Sequence, residues 1–239
     1  MGGSVSAAAS CAVVLSSGGI DSTTCLALAV DRFGAENVTA LGVSYGQKHV
    51  RELQSARAVA EYYQVAQRTL DLSNVLAAST NALMARSSRA IEHESYGRQI
   101  EERGEGPVST YVPFRNGLML SAAAAFALSI YPDRHAVLYL GAHADDAAGS
   151  AYPDCSPEFV AAMGRAVELG TYGLVSLEAP FANVNKAAVV KCGLDMAVPY
   201  HLTWSCYEGD EKPCGTCGTC IDRIAAFRAN GMDDPLEYA

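Results

Sequence analysis

Short apolar runs bounded by glycine or polar residues alternate along this chain with stretches whose apolar positions recur every three or four residues. Residues 11–16 (CAVVLS) form a β-branched run that leads into glycine and predicts a buried parallel strand. Residues 21–33 carry Leu26, Ala29, Val30 and Phe33 at helical spacing. Residues 38–45 predict a second strand, and residues 50–63, with Leu53, Ala56, Ala60 and Tyr63 on one face, a second helix. A short third strand is expected over 66–72. The rhythm resumes with a helix over 115–131 and a strand over 136–141. A polar loop over 143–157, a helix over 158–168, a strand over 174–177 and a helix over 186–193 follow.

Strands alternating with helices in this way predict an α/β fold, a doubly wound parallel sheet with helices on both faces. Residues 73–112 interrupt it: polar, with scattered Arg and Glu and no clear period, they suit a lid or a mobile excursion. Past His201 the pattern stops and cysteines take over. The expected organisation is a flexible leader over 1–10, an α/β domain over 11–200 and a small metal-binding lobe over 201–239. Gly2 and Ser6 satisfy a loose myristoylation pattern, but the leader has neither the basic nor the apolar stretch of a secretory signal.

Composition narrows the partners. The 239 residues hold 17 Lys and Arg against 26 Asp and Glu, a formal charge of -9. Phosphate backbones are bound by clustered Lys and Arg that release counterions, so this balance argues against an extended nucleic-acid surface. No run approaches the ~18 apolar residues that cross a bilayer. A cytoplasmic chain acting on small molecules is expected, with no membrane or nucleic-acid partner.

The chemistry concentrates in two places. Ser16-Ser17-Gly18-Gly19-Ile20-Asp21-Ser22-Thr23-Thr24 follows the first strand and opens the first helix. A loop so placed presents successive backbone N–H groups at a helix N-terminus, a setting for anionic phosphates. Asp21 is available to hold Mg²⁺ or to cap the helix. The string is neither a Walker A loop nor a dinucleotide fingerprint. Near the C-terminus, Cys206, Cys214, Cys217 and Cys220 form C-x7-C-x2-C-x2-C, with Gly215 and Gly218 between the last three. Four thiolates describe a closed structural Zn²⁺ site, with an iron–sulfur cluster and redox disulfides as alternatives. Cys11, Cys25 and Cys192 read as core residues; Cys155, in a polar loop, is either a packed thiol or a nucleophile.

The loop resembles the pyrophosphate loop of adenylating ATP pyrophosphatases. Residues 17–22 (SGGIDS), 44–49 (SYGQKH), 112–116 (VPFRN), 152–155 (YPDC), Asn185-Lys186 and 203–206 (TWSC) together resemble the 7-cyano-7-deazaguanine synthase (QueC) family, in order over about 11–228. The resemblance implies a carbon–nitrogen ligase. ATP would adenylate the carboxylate of 7-carboxy-7-deazaguanine, ammonia would displace AMP to give the amide, and a second activation would give the nitrile of the queuosine pathway. It also implies a pyrophosphatase-type fold, ATP, Mg²⁺ and one structural Zn²⁺ as cofactors, and a homodimer.

By that resemblance Ser16 to Leu26, including Cys25, would hold the ATP phosphates, and Tyr45, Gly46 and Gln47 the adenosine. Asp21, Arg115 and Lys186 are the expected catalytic residues, Lys186 near the α-phosphate and Arg115 gripping a carboxylate or phosphate with its fork. Arg115, Asp145, Asp146, Tyr152 and Asp154 are the expected substrate contacts. Asp154 would accept the paired donors of a guanine-like edge or, alternatively, cap a turn; Asp145 and Asp146 would serve Mg²⁺ or ammonia, or stand as solvated loop acids. Trp204 would stack on a ring or anchor the metal lobe. Residues 143–152 run about two residues longer than the family pattern. That departure leaves a protein amine open as the acceptor in place of ammonia, and a tRNA-modifying relative is the second alternative. A zinc-dependent binding module is the reading outside enzymes.

Overall fold

The computed structural model describes residues 10–48, 51–209 and 211–239. The expected leader up to residue 9, with Gly2 and Ser6, lies outside them, as do His49 of the SYGQKH string and Val50 at the expected helix start. Five strands form one sheet: β1 (Cys11–Leu15), β2 (Val38–Ser44), β3 (Ala66–Asp71), β4 (Ala136–Tyr139) and β5 (Val175–Glu178). Their order is β3-β2-β1-β4-β5 and every pairing is parallel, with Val13 set between Thr39 and Leu138. The fold is therefore the parallel, doubly wound one that the alternation implied.

All five residues of β1 are buried, as a central strand covered on both faces requires. Successive side chains divide between the faces. Ala12 and Val14 join a core formed with α1 (Ile20–Phe33), α2 (Arg51–Tyr62), α7 (Lys186–Asp195) and α8 (Gly218–Ala229). Cys11, Val13 and Leu15 join the opposite core, beneath α4 (Arg115–Ile130) and α6 (Pro157–Gly170). The sequence reverses direction across the sheet between β1 and β4, so the crevice beyond their carboxyl ends is the switch point where such folds bind ligands.

Helix starts are fixed by local chemistry. Ser156 accepts from the Phe159 N–H ahead of Pro157, and Asn185 accepts from the Ala188 N–H, each satisfying an orphan donor of the first turn. At α4 the chain enters through Phe114 in the left-handed region, φ 56°, and Asp154 supplies the cap from a distant segment by accepting from the Asn116 N–H at 2.9 Å.

Three helices escape the periodicity. α3 (Tyr96–Arg103) lies within the 73–112 excursion and is nearly all polar; Ser95 caps it and Ile100 is its apolar contact. α5 (Ala144–Ala147) is a single turn in the polar loop. α8 turns Cys220, Arg223, Ala226 and Phe227 inward, a stripe interrupted by an arginine and therefore invisible to an apolar count.

The structure draws the C-terminal part into the main body: α8 packs on α7, and Phe227 meets Tyr200 edge-on at 5.4 Å between centroids. Nor is the excursion a free lid. Its Leu83, Met84, Ile91 and Val112 are buried with Tyr45, Trp204 and the cysteines, and the Asn81 amide donates to Ser109 O and Tyr111 O. The 143–152 loop folds against the same segment, with Gly106 N–H donating to Gly149 O at 2.9 Å. Among the described residues no helix is long and apolar enough to cross a membrane.

Candidate active site

The loop after β1 is shaped by contacts that leave no room for a side chain. Gly18 has φ 82°, and a Cβ there would lie 2.5 Å from both Ala56 N and Glu52 O, so α2 closes directly on the loop. Gly141, at the end of β4, presses on the other side; a Cβ there would lie 2.8 Å from Ser22 N. Ser17 Oγ and Ser22 Oγ share a hydrogen bond at 3.1 Å, and Gly19 N–H donates to Ser17 Oγ at 3.3 Å. No side chain caps α1. Its first-turn amides are thus set up for an anion from outside. Ile20, Cys25 and Leu26 lie beneath in the core, and Thr24 Oγ1 bonds Tyr200 OH at 2.8 Å.

A cavity of about 230 Å³ opens above this loop, walled in part by residues at the ends of β1, β2 and β4. It brings together Ser16, Ser17, Gly19, Asp21 and Ser22 with Tyr45, Gln47, Arg115, Asp146, Tyr152 and Lys186. Five of the remaining expected residues, Ile20, Thr23, Thr24, Cys25 and Leu26, support the loop without lining the cavity, and Gly18 is covered by α2. Gly46 borders a separate hollow with Ser73 and Met84. Asp145 is turned away: its Oδ2 accepts from the Lys186 N–H at 2.8 Å and helps start α7.

Asp154 is also absent from the lining. Its carboxylate caps α4 and not the turn of its own segment, because the left-handed entry at Phe114 leaves the Asn116 N–H without a local acceptor. The geometry therefore does not present Asp154 to a guanine-like edge.

The β4 side of the cavity is a charged corner. Lys186 Nζ donates to Asp21 Oδ2 at 2.8 Å and lies 3.2 Å from His143 Nε2, which in turn is 3.4 Å from Asp146 Oδ1. Burial acts to raise the Asp21 carboxyl, but Lys186 and His143 together pull it below the ordinary range. Burial works to lower Lys186, and Asp21 and Asp146 override it, keeping the ammonium charged. At Asp146 burial dominates and the carboxyl is raised. Asp222 of α8 faces the same charges and is pushed up to about 6 by burial, against the pull of Lys186 and His143. Asp21 Oδ1 is buried with no hydrogen bond among the described residues.

The β2 side is aromatic. Arg115 donates to Tyr45 OH at 3.2 Å with its guanidinium 5.3 Å from the Tyr45 ring centroid, and Met119, Tyr152 and Tyr207 complete the wall. Glu52, from the first turn of α2, projects into this part, its carboxyl raised to about 7 by burial despite nearby Arg115. Cys155 lines the cavity but receives Asn116 Nδ2 at 3.2 Å, and burial, reinforced by Asp146 and Asp154, pushes its thiol up, the setting of a packed thiol and not of a thiolate nucleophile.

His143, Glu52, Asp222 and Tyr207 were missed by sequence reasoning. His143 had a readable signal, since it follows a strand end beside β1, where ligand-binding loops sit. Asp222 was hidden in the unrecognised α8.

The four cysteine sulfurs lie within 4.8 Å of one another, a spacing that fits a single tetrahedral ion. Backbone N–H groups of Gly209 and Cys214 donate to Cys206 Sγ, and that of Cys217 to Cys214 Sγ, the outer support a thiolate cluster needs. Trp204 ties this cluster to the cavity: its ring N–H donates to Cys206 O at 2.9 Å, and its backbone N–H donates to Gly18 O at 2.8 Å.

A family model described as queuosine biosynthesis protein QueC matches residues 11–231. The chain belongs to the QueC family. Among curated relatives, a QueC-family protein of Caldicellulosiruptor saccharolyticus named 7-cyano-7-deazaguanine synthase is 43% identical, covering 95% of each chain. One of the same name from Archaeoglobus fulgidus is 42% identical over 94% of this chain and 89% of that one. Among solved structures, NMN synthetase from Francisella tularensis superposes with a TM-score of 0.49 at 14% identity, over 95% of this chain and 79% of that chain.

Proposed function

We propose that this chain is the ligase that makes 7-cyano-7-deazaguanine from 7-carboxy-7-deazaguanine, ammonia and ATP. The observation that carries this reading is the convergence of the glycine loop, Lys186 and Arg115 on one cavity in a chain that the QueC model matches from 11 to 231. A carboxylate is a poor electrophile, so its oxygen first attacks the α-phosphorus of ATP and pyrophosphate leaves. Ammonia then adds to the acyl carbon, AMP leaves with the C–O electron pair, and the amide forms. In the second round the amide oxygen is adenylated, the nitrogen loses its protons and AMP departs to leave the nitrile.

The residues suit these steps. The unfilled first turn of α1 and the Ser17–Ser22 hydroxyls hold the departing pyrophosphate, and Lys186 neutralises the charge that grows at the α-phosphoryl oxygens. Lys186 is held ready by Asp21 and stays charged without substrate. Tyr45 and Arg115 wall the base and acid. Asp21, whose Oδ1 accepts no hydrogen bond among the described residues, and Asp146 would hold Mg²⁺, which supplies charge neutralisation for the phosphates. Cys206, Cys214, Cys217 and Cys220 would hold a structural Zn²⁺ with no position open for water. A homodimer belongs to the same reading and is checked by light scattering.

The test is to incubate the protein with ATP, ammonium and the 7-carboxy compound and follow products by mass spectrometry. Free nitrile, with AMP and pyrophosphate released only when the acid is present, is expected. No acid-dependent AMP would overturn the reading, and an adduct on a protein amine in place of free nitrile would replace the acceptor.

A further inference from the structure

The cavity holds four carboxylates: Asp21, Asp146 and Asp222 face Lys186 and His143, and Glu52 faces Arg115. The fourth, Glu52, forms no hydrogen bond or ion pair among the described residues. It comes from the β2 side of the loop, the opposite flank from the Lys186 corner, near enough to Tyr45 and Arg115 to act on both electrostatically. Arg115 spends a donor on Tyr45 OH instead of on Glu52. A partly buried carboxylate that lines a cavity without a donor leaves both oxygens open to a ligand's N–H groups.

We propose that Glu52 is the specificity-determining residue for the purine-like acid, accepting with its two oxygens the paired N–H donors of a 2-amino-pyrimidinone edge. This rests on the ligase reading above and names the group that recognises its substrate. Other candidates for the task on this side are spent. Gln47 Oε1 accepts from Tyr45 N–H at 2.8 Å and its amide reaches back to Val43 O, while Asp154 caps α4. Two parallel N–H donors match the two carboxylate oxygens, and the aromatic wall of Tyr45, Tyr152 and Tyr207 suits a flat bicyclic ring. The hydroxyl pair of the ATP ribose is the other donor set in reach, and the experiment separates it.

Steady-state constants for the acid and for ATP are measured with the wild-type protein, Glu52→Gln and Glu52→Asp, using 7-carboxy-7-deazaguanine and the same acid lacking the 2-amino group. For Glu52→Gln the KM for the acid should rise roughly ten- to a hundred-fold, the discrimination of a good bidentate pair, with the KM for ATP within about twofold. The wild-type preference for the amino-bearing acid should collapse in the variant. If the KM for ATP rises instead, Glu52 serves the ribose and the proposal falls; it falls also if the variant keeps the amino preference. Calorimetric ATP binding certifies that the Gln variant is folded, and should it fail, the charge-conserving Asp variant carries the same comparison with a smaller loss. Absence of acid-dependent AMP in the wild-type protein would instead sink the ligase reading itself.

Discussion

Two buried ion pairs tie distant parts of this chain together, and they are built to opposite ends. Arg223 and Asp234 are 1% and 3% exposed and leave no acceptor of Asp234 over: Arg223 binds both Asp234 oxygens, Thr203 Oγ1 and Tyr200 O, and Asp234 also accepts from Leu236 N–H and Tyr238 OH. Lys186 and Asp21 are 15% and 21% exposed and share one bond, while Asp21 Oδ1 accepts no hydrogen bond among the described residues and has only His143 Nε2 at 3.8 Å. A pair whose every lone pair is used can only hold structure. A pair with a spare oxygen and an open side can exchange its partner for a ligand.

Substitutions separate the two kinds of pair. The largest loss is expected away from both, at Cys217→Ser, where the structural metal should be lost together with on the order of 5 kcal/mol of stability, because metal binding is folding energy in such a cluster. Metal content by elemental analysis, followed by a denaturant melt, checks it, and full zinc with an unchanged melt would refute the four-thiolate site. Arg223→Met comes next, costing ~3–5 kcal/mol by stranding Asp234 in the interior; urea titration reads it directly. Asp21→Asn should cost less than about 1 kcal/mol in the same titration yet lower pyrophosphate release by ~10²–10³, since it removes the group that poises Lys186. Equal losses of stability at Arg223 and Asp21 would erase the contrast.

The effect at Glu52 emerges only as pH rises, and its sign is opposite. Burial raises this carboxyl in the folded chain from the ordinary 4.5 to about 7, so the folded state keeps a proton that the unfolded one has released. The associated stability is present below about pH 4.5 and lost as pH rises through 7. Glu52→Gln, which cannot ionise, should therefore melt like the wild-type protein at pH 4.5 and be more stable by ~1–3 kcal/mol at pH 8 without ligands. A gap that does not widen with pH would mean that Glu52 has a partner after all.

Much of this was legible in the sequence because it depends on local pattern. The β-branched 11–16 run, the glycines of the loop and the cysteine spacing each carry their reason within a few residues. What escaped depends on distant pieces. Asp154 looked like a reader of the purine because its neighbours 152–155 resemble the family string, yet it is taken up by Asn116, thirty-eight positions away. Glu52 belongs to no motif of the sequence, and only the closure of α2 on Gly18 brings it into the cavity. The 73–112 segment lacked periodicity because its few apolar residues divide between two cores, Leu83, Met84, Ile91 and Val112 beside the cysteine cluster and Val108 and Ile100 in the core under the sheet.

One hydrogen bond, from Trp204 N–H to Gly18 O, joins the cysteine cluster to the nucleotide loop through a single residue. An assay that scores inhibitors only by lost turnover would therefore confuse two unrelated classes of compound. A chelator that strips the cluster and a nucleotide mimic that fills the loop would disturb the same carbonyl, and only the first would leave a chain that no longer regains activity on dilution.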